Sequence, residues 1–210
     1  GGPSGLLPCG VSVLRRLKTQ QNGKSSRHMQ KKLFLILGGA DSGKSVFAED
    51  LVKRLAGSRA RLCYIATADV EDEEMAQRVD RHKARRRSEW RLVEGNAEAA
   101  LTALAEEEVA LLDCATLWLS GRMSELEDTD EEMGTDLPAA FSELEAALAA
   151  ARGSVVIVSN ETGLGIVPMH PLSRAFRAAQ GQLNQRLAAL ADVVVLVVAG
   201  LPLVLKGELP

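Results

Sequence analysis

A chain of 210 residues, 46% hydrophobic and 25% charged, holds enough apolar material for one sizeable core and needs no covalent staples. The formal net charge of −3 argues against a dedicated nucleic-acid binder, which carries a basic excess. No apolar stretch reaches the about 20 residues that span a bilayer, so neither a membrane nor a nucleic acid is expected as a partner. Cys9, Cys63 and Cys114 lack metal-ligand spacing and read as buried thiols of a reducing compartment, which makes the cytoplasm the expected location.

In chain order, residues 1–28 stand apart. The first ten are rich in Gly and Pro, 11–24 hold one weak amphipathic segment, and Ser25-Ser26-Arg27-His28 is polar. They show no h-region followed by a cleavage site, and Met29 stands just before the first strand. A disordered extension over 1–28, upstream of one domain over 29–210, is therefore expected.

Lys32-Leu33-Phe34-Leu35-Ile36-Leu37 is a short apolar run that reads as a buried strand, and 45–55 reads as a helix with apolar Val46, Phe47, Leu51, Val52 and Leu55. Between them lies Gly38-Gly39-Ala40-Asp41-Ser42-Gly43-Lys44-Ser45, which fits the Walker A pattern G-x-x-x-x-G-K-[ST]. A strand that enters a Gly-rich turn opening a helix presents consecutive backbone N–H groups and the positive helix end to phosphates. Lys44 is expected to reach the β/γ-phosphates and the Ser45 hydroxyl to ligate Mg2+.

Further strands are expected over 61–67, 90–94, 109–113, 154–159 and 193–198, with an edge strand over 202–206. Helices are expected over 71–87, 97–107, 137–152 and 172–191, and the acidic stretch 125–136, which lacks an apolar period, reads as a loop. Strands alternating with helices predict an α/β fold of the P-loop NTPase-like, three-layer αβα kind with a mostly parallel sheet in a single domain. Ligands of such sheets collect at the carboxyl ends of strands, here marked by the phosphate loop, Thr67, Asp113 and Asn160-Glu161.

Asp113 ends its strand like a Walker B carboxylate that holds Mg2+, and equally like a cap for a helix over 116–119. Asn160-Glu161 is similarly double: a substrate-positioning pair, or a turn cap. Helix 71–87 begins with Glu71-Asp72-Glu73-Glu74 and ends with Arg81-His82-Lys83-Ala84-Arg85-Arg86-Arg87, a polarity that complements the helix dipole. His82 shares a stripe with Met75 and Val79 and reads by itself as a structural residue, although Arg78 and Arg85 one turn away would neutralise phosphates and favour the neutral, nucleophilic imidazole. His28 and His170 carry no such context.

Several segments together resemble the bifunctional adenosylcobinamide kinase/adenosylcobinamide-phosphate guanylyltransferase family of cobalamin biosynthesis. They are Ile36-Leu37 with the phosphate loop, Tyr64-Ile65-Ala66-Thr67-Ala68, Asp72-Glu73-Glu74-Met75, Arg78-Val79-Asp80-Arg81-His82-Lys83, Trp90, Ser159-Asn160-Glu161-Thr162-Gly163-Leu164-Gly165-Ile166-Val167-Pro168 and Leu183-Asn184-Gln185-Arg186-Leu187-Ala188. The resemblance implies two reactions. ATP or GTP phosphorylates the aminopropanol hydroxyl of adenosylcobinamide; GTP then gives GMP to an active-site histidine, which passes it to adenosylcobinamide phosphate. His82 matches the family nucleophile, and Ala66, Thr67, Ala68, His82, Lys83, Ala84, Arg85, Glu94 and Asp113 match family nucleotide contacts. Relatives of this kind assemble as homotrimers. This chain has Asp41 where the family usually has Arg, Arg87 where it has Pro, Ala68 where it has Ser, and Asp113 where Glu is also common. On residues alone, a P-loop small-molecule kinase without guanylyl transfer stays open, as does a nucleotide-dependent regulatory ATPase, for which the chain offers no arginine-finger signature.

Overall fold

The computed structural model describes residues 30–67, 89–128 and 133–210. The extension expected over 1–28 and the helix expected over 71–87 lie outside them, and with that helix Ala68, His82, Lys83, Ala84 and Arg85.

Among the described residues seven strands form one sheet in the order β3-β2-β4-β5-β1-β6-β7. They are β1 (Leu33–Gly38), β2 (Arg61–Ala66), β3 (Trp90–Glu94), β4 (Glu108–Asp113), β5 (Ser154–Asn160), β6 (Val193–Val198) and β7 (Leu201–Lys206). The first six are mutually parallel; β7 turns back antiparallel on β6 as the edge strand expected from the sequence. All six residues of β1 are buried, which is why its sequence is a continuous apolar run rather than an alternation: both faces are covered.

Among the described residues five helices supply the cover: α1 (Lys44–Ala56), α2 (Ala97–Thr102), α3 (Ala115–Asp128), α4 (Met133–Ala150) and α5 (Pro171–Leu190). Phe34 and Ile36 pack with Ala48, Leu51 and Val52 of α1 on one face. Leu33, Leu35 and Leu37, which alternation sends the other way, pack in the core that α2, α3, α4 and α5 close. Three layers result. Cys63 and Cys114 are free and buried, as expected, and burial pushes both thiols up to about 11; Cys9 lies outside the described residues.

Two expectations are corrected. The stretch 125–136 is not simply a loop: α3 continues to Asp128 and α4 begins at Met133. Ala115, Trp118, Leu119 and Met123 are all buried at helical spacing, so core packing carries α3 into an acidic run that propensity alone would leave irregular. The helix expected over 97–107 stops at Thr102. Consecutive acids oppose the dipole at a helix C-terminus, and the Glu108 carboxylate instead accepts from the Ala105 N–H (2.9 Å) and from Arg91 (3.0 Å), turning the chain into β4.

Glu98 on α2 ties that helix to α3, accepting from Arg122 (2.8 Å) and from the Trp118 indole (2.9 Å). Burial pushes its carboxyl up, but the bonds from Arg122, its own backbone and Trp118 outweigh burial and hold it below the ordinary carboxylate range. A carboxyl depressed in the folded state contributes stability that is complete above its unfolded pKa and is lost as pH falls through the folded one. The melting temperature of Glu98→Gln is therefore expected to fall less than that of the unsubstituted protein between about pH 7 and about pH 3. Melts at stepped pH check this; parallel curves would refute it.

Candidate active site

β1 lies between β5 and β6, and the chain leaves it through α1 to reach β2 on the β5 side, while α5 carries β5 across to β6. The phosphate loop therefore stands at the point where the strand order reverses, the place where parallel sheets open a crevice for ligands.

Gly38 closes β1, and Gly43 precedes α1 with φ of 91°, a left-handed conformation that suits glycine. Gly39 and Ala40 span the tip, and Ser42 N–H donates to the Gly39 carbonyl (3.3 Å). Asp41 is also left-handed, at φ 51°, and Asp is among the few residues that tolerate this region. Asp41 places an exposed carboxylate on the loop. Lys44 opens α1 with its side chain buried, and its Nζ donates to the Gly39 carbonyl at 2.9 Å. Ser45 follows in the first turn. The Ser42 hydroxyl is buried without a hydrogen-bond partner among the described residues.

A side chain at Gly38 does not fit. A Cβ there would stand 2.4 Å from Ser42 Oγ and 2.7 Å from the Val197 carbonyl of β6, so the loop would have to move. Gly38→Ala is expected to weaken nucleotide binding by about tenfold or more, equivalent to about 1.4 kcal/mol. Titration calorimetry with GTP checks it, and unchanged affinity would contradict the close approach.

Register brings the remaining described candidates to the same edge. Ala66 at the end of β2 pairs with Glu94 at the end of β3 on one side and with Asp113 at the end of β4 on the other. Thr67 follows, its hydroxyl donating to the Cys114 carbonyl (2.7 Å). Asp113 Oδ2 accepts from Tyr64 Oη at 2.6 Å. The residue just before α3 is Cys114 rather than Asp113. Asp113 and the phosphate loop are separated by one strand, β5, which pairs Asp113 with Val158 and Gly38 with Asn160.

Sequence reasoning did not single out Tyr64 as Asp113's partner, nor the polar network behind β5. Ser159 Oγ donates to Asn184 Oδ1 (2.6 Å), Gln180 Nε2 reaches both (3.0 Å each), and Asn184 Nδ2 donates to the Asn160 carbonyl (3.0 Å). Thr116 Oγ1 accepts from the Asn160 N–H (2.8 Å). The available signal was Gln180 and Asn184 standing four apart among buried Ala179, Leu183 and Leu187, polar residues at core positions of α5.

For Mg2+, the candidate ligands Ser45 and Asp113 offer a hydroxyl and a carboxylate, the hard oxygen donors this ion takes. No cluster of three or more His, Cys, Asp or Glu side chains that could hold a metal ion occurs among the described residues. No described helix is long and apolar enough to cross a membrane.

Comparison with known proteins gives one consistent result. The family described as cobinamide kinase / cobinamide phosphate guanyltransferase matches residues 34–205. The chain is 42% identical over 177 residues to the bifunctional adenosylcobalamin biosynthesis protein CobP of Pseudomonas aeruginosa, covering 83% of this chain and 97% of that one. It is 38% identical over 184 residues to the bifunctional adenosylcobalamin biosynthesis protein CobU of Salmonella typhimurium, and equally to its counterpart of the same name in Escherichia coli, covering 83% of this chain and 99% of each.

Proposed function

Since the chain belongs to the cobinamide kinase / cobinamide phosphate guanyltransferase family, we propose that its strand-end site runs both reactions on one nucleotide-binding edge. The observation that carries this reading is the register that aligns the phosphate loop, Ala66, Glu94 and Asp113 at the carboxyl ends of adjacent strands.

In the kinase step, the N–H groups of 38–45 cradle the triphosphate, and Lys44 turns from the Gly39 carbonyl to the β/γ-phosphates, where negative charge develops. The orphaned Ser42 hydroxyl supplies a further donor inside the loop. Mg2+, held by Ser45 and Asp113, would neutralise charge on the phosphate oxygens. Tyr64 Oη donates to one oxygen of the Asp113 carboxylate and so holds it at the strand end. Ala66, Thr67 and Glu94 border the nucleotide on the β2–β3 side, and Ala68 is a further nucleotide contact.

In the guanylyl step the same loop holds GTP while His82 attacks the α-phosphorus and pyrophosphate leaves. The resulting phosphoramidate then yields GMP to the phosphate of adenosylcobinamide phosphate. Splitting one transfer into two easier ones is the gain of nucleophilic catalysis. Lys83, Ala84 and Arg85 accompany His82 as nucleotide contacts. Incubation with adenosylcobinamide, ATP and Mg2+, then with GTP, tests the reading: the corrinoid should gain one phosphoryl group and then one GMP. A corrinoid that gains only the phosphoryl group would leave a kinase without guanylyl transfer.

A further inference from the structure

Phosphoryl transfer to a hydroxyl needs a group that orients the nucleophile and takes its proton, a role that no residue has been given so far. We propose that Glu161 fills it, an assignment that rests on the kinase reading above.

The placement is set by the sheet. β5 lies directly beside β1, so its end is one strand spacing, about 4.8 Å, from the start of the phosphate loop. Asn160 is paired with Gly38, and the Glu161 N–H then donates to the Gly38 carbonyl at 3.0 Å. The backbone before it is held from both sides, by Thr116 on the Asn160 N–H (2.8 Å) and by Asn184 on the Asn160 carbonyl (3.0 Å). Glu161 is thus carried on a rigid strand end rather than on a free loop, as a catalytic group needs to be.

Its side chain is half-buried. Oε1 accepts from the Gly163 N–H at 2.7 Å, which fixes the carboxylate, while Oε2 has no hydrogen bond to a described residue. Arg177 secures the same turn by donating to the Gly163 carbonyl. Among the described residues the other acids of this edge are differently placed: Asp113 is bonded to Tyr64, Glu94 lies out on β3, and Asp41 is exposed on the phosphate loop itself. Next to Glu161, Thr162 lines an open groove of about 430 Å3 between α3 and α5, walled by Met123, Ile166, Leu172 and Phe176.

In the step, the acceptor hydroxyl oxygen forms a bond to the γ-phosphorus. The bond from that phosphorus to the β–γ bridging oxygen breaks, its electron pair leaving with the nucleoside diphosphate. The hydroxyl proton passes to Glu161 Oε2 and from there to water when product leaves. The alternative role for Glu161 is purely local, a side chain that closes the turn on Gly163, and glutamine would serve that equally well.

Glu161→Gln keeps the bond to Gly163 and removes the proton acceptor. With adenosylcobinamide and ATP its kcat should fall by about 10²-fold or more, the usual contribution of a general base. Formation of a GMP adduct on the protein from GTP, which involves no acceptor hydroxyl, should stay within about threefold, as should the affinity for GTP. Glu161→Asp, which draws the carboxylate back by one methylene, should recover at least about tenfold of the lost kcat. Phosphorylation by Glu161→Gln within tenfold of the unsubstituted rate would overturn the assignment, as would a parallel loss of GMP adduct and GTP affinity. Failure of the unsubstituted protein to phosphorylate adenosylcobinamide would instead overturn the kinase reading itself.

Discussion

Lys44→Ala is expected to abolish both phosphorylation of adenosylcobinamide and formation of adenosyl-GDP-cobinamide. Both reactions place a triphosphate in the loop that Lys44 closes, and in both the leaving phosphate gains negative charge that its ammonium neutralises. Removing one such preorganised donor costs about 10²–10³-fold in rate, about 2.7–4 kcal/mol, even where the rest of the site is intact. The fold should survive. Lys44 is the first residue of α1, alanine is the best helix former, and the Lys44 Nζ donates to the loop's own Gly39 carbonyl. Rates measured separately for the two half-reactions decide the point. Normal guanylylation by Lys44→Ala at saturating GTP would mean that the guanylyl step uses a different nucleotide site.

His82→Ala should divide the two activities. Without the imidazole no phosphoramidate forms, so GMP cannot reach adenosylcobinamide phosphate, and the second product should vanish. The kinase step asks for the phosphate loop, the metal-ligating oxygens and an oriented hydroxyl, none of which His82 supplies, so phosphorylation should continue at a measurable rate. Accumulation of adenosylcobinamide phosphate, followed chromatographically with both nucleotides present, is the expected result. Equal loss of both products in a folded variant would assign His82 to nucleotide binding rather than to covalent transfer.

The part of this site that is local in the chain was legible before any coordinates. A buried strand, a glycine-rich turn and an amphipathic helix specify a phosphate loop within 24 consecutive positions, from Lys32 to Leu55, and the structure puts Gly38 to Ser45 where that pattern requires. The parallel sheet was legible for a similar reason, since strands buried on both faces are continuous apolar runs. Partnerships across the sheet were not. Tyr64 and Asp113 are 49 residues apart, and their meeting depends on β2 lying beside β4, an order that no local pattern encodes. The clamp on Asn160 has the same origin, drawing Thr116 from α3 and Asn184 from α5. α3 was hidden by composition: four core contacts at helical spacing outweigh an acidic tail, but the tail dominates any short window of sequence. The family resemblance reached His82, on which spacing alone favoured a structural role.

The central claim is that GMP passes through a covalent histidine adduct on this chain, and intact-mass measurement after incubation with GTP and Mg2+ tests it most directly. The unsubstituted protein should gain the mass of one GMP, in an adduct lost in acid and retained in base as a phosphoramidate is, and folded His82→Ala should gain nothing. An adduct that persists on folded His82→Ala, or no adduct on the unsubstituted protein while it still makes adenosyl-GDP-cobinamide, would contradict it.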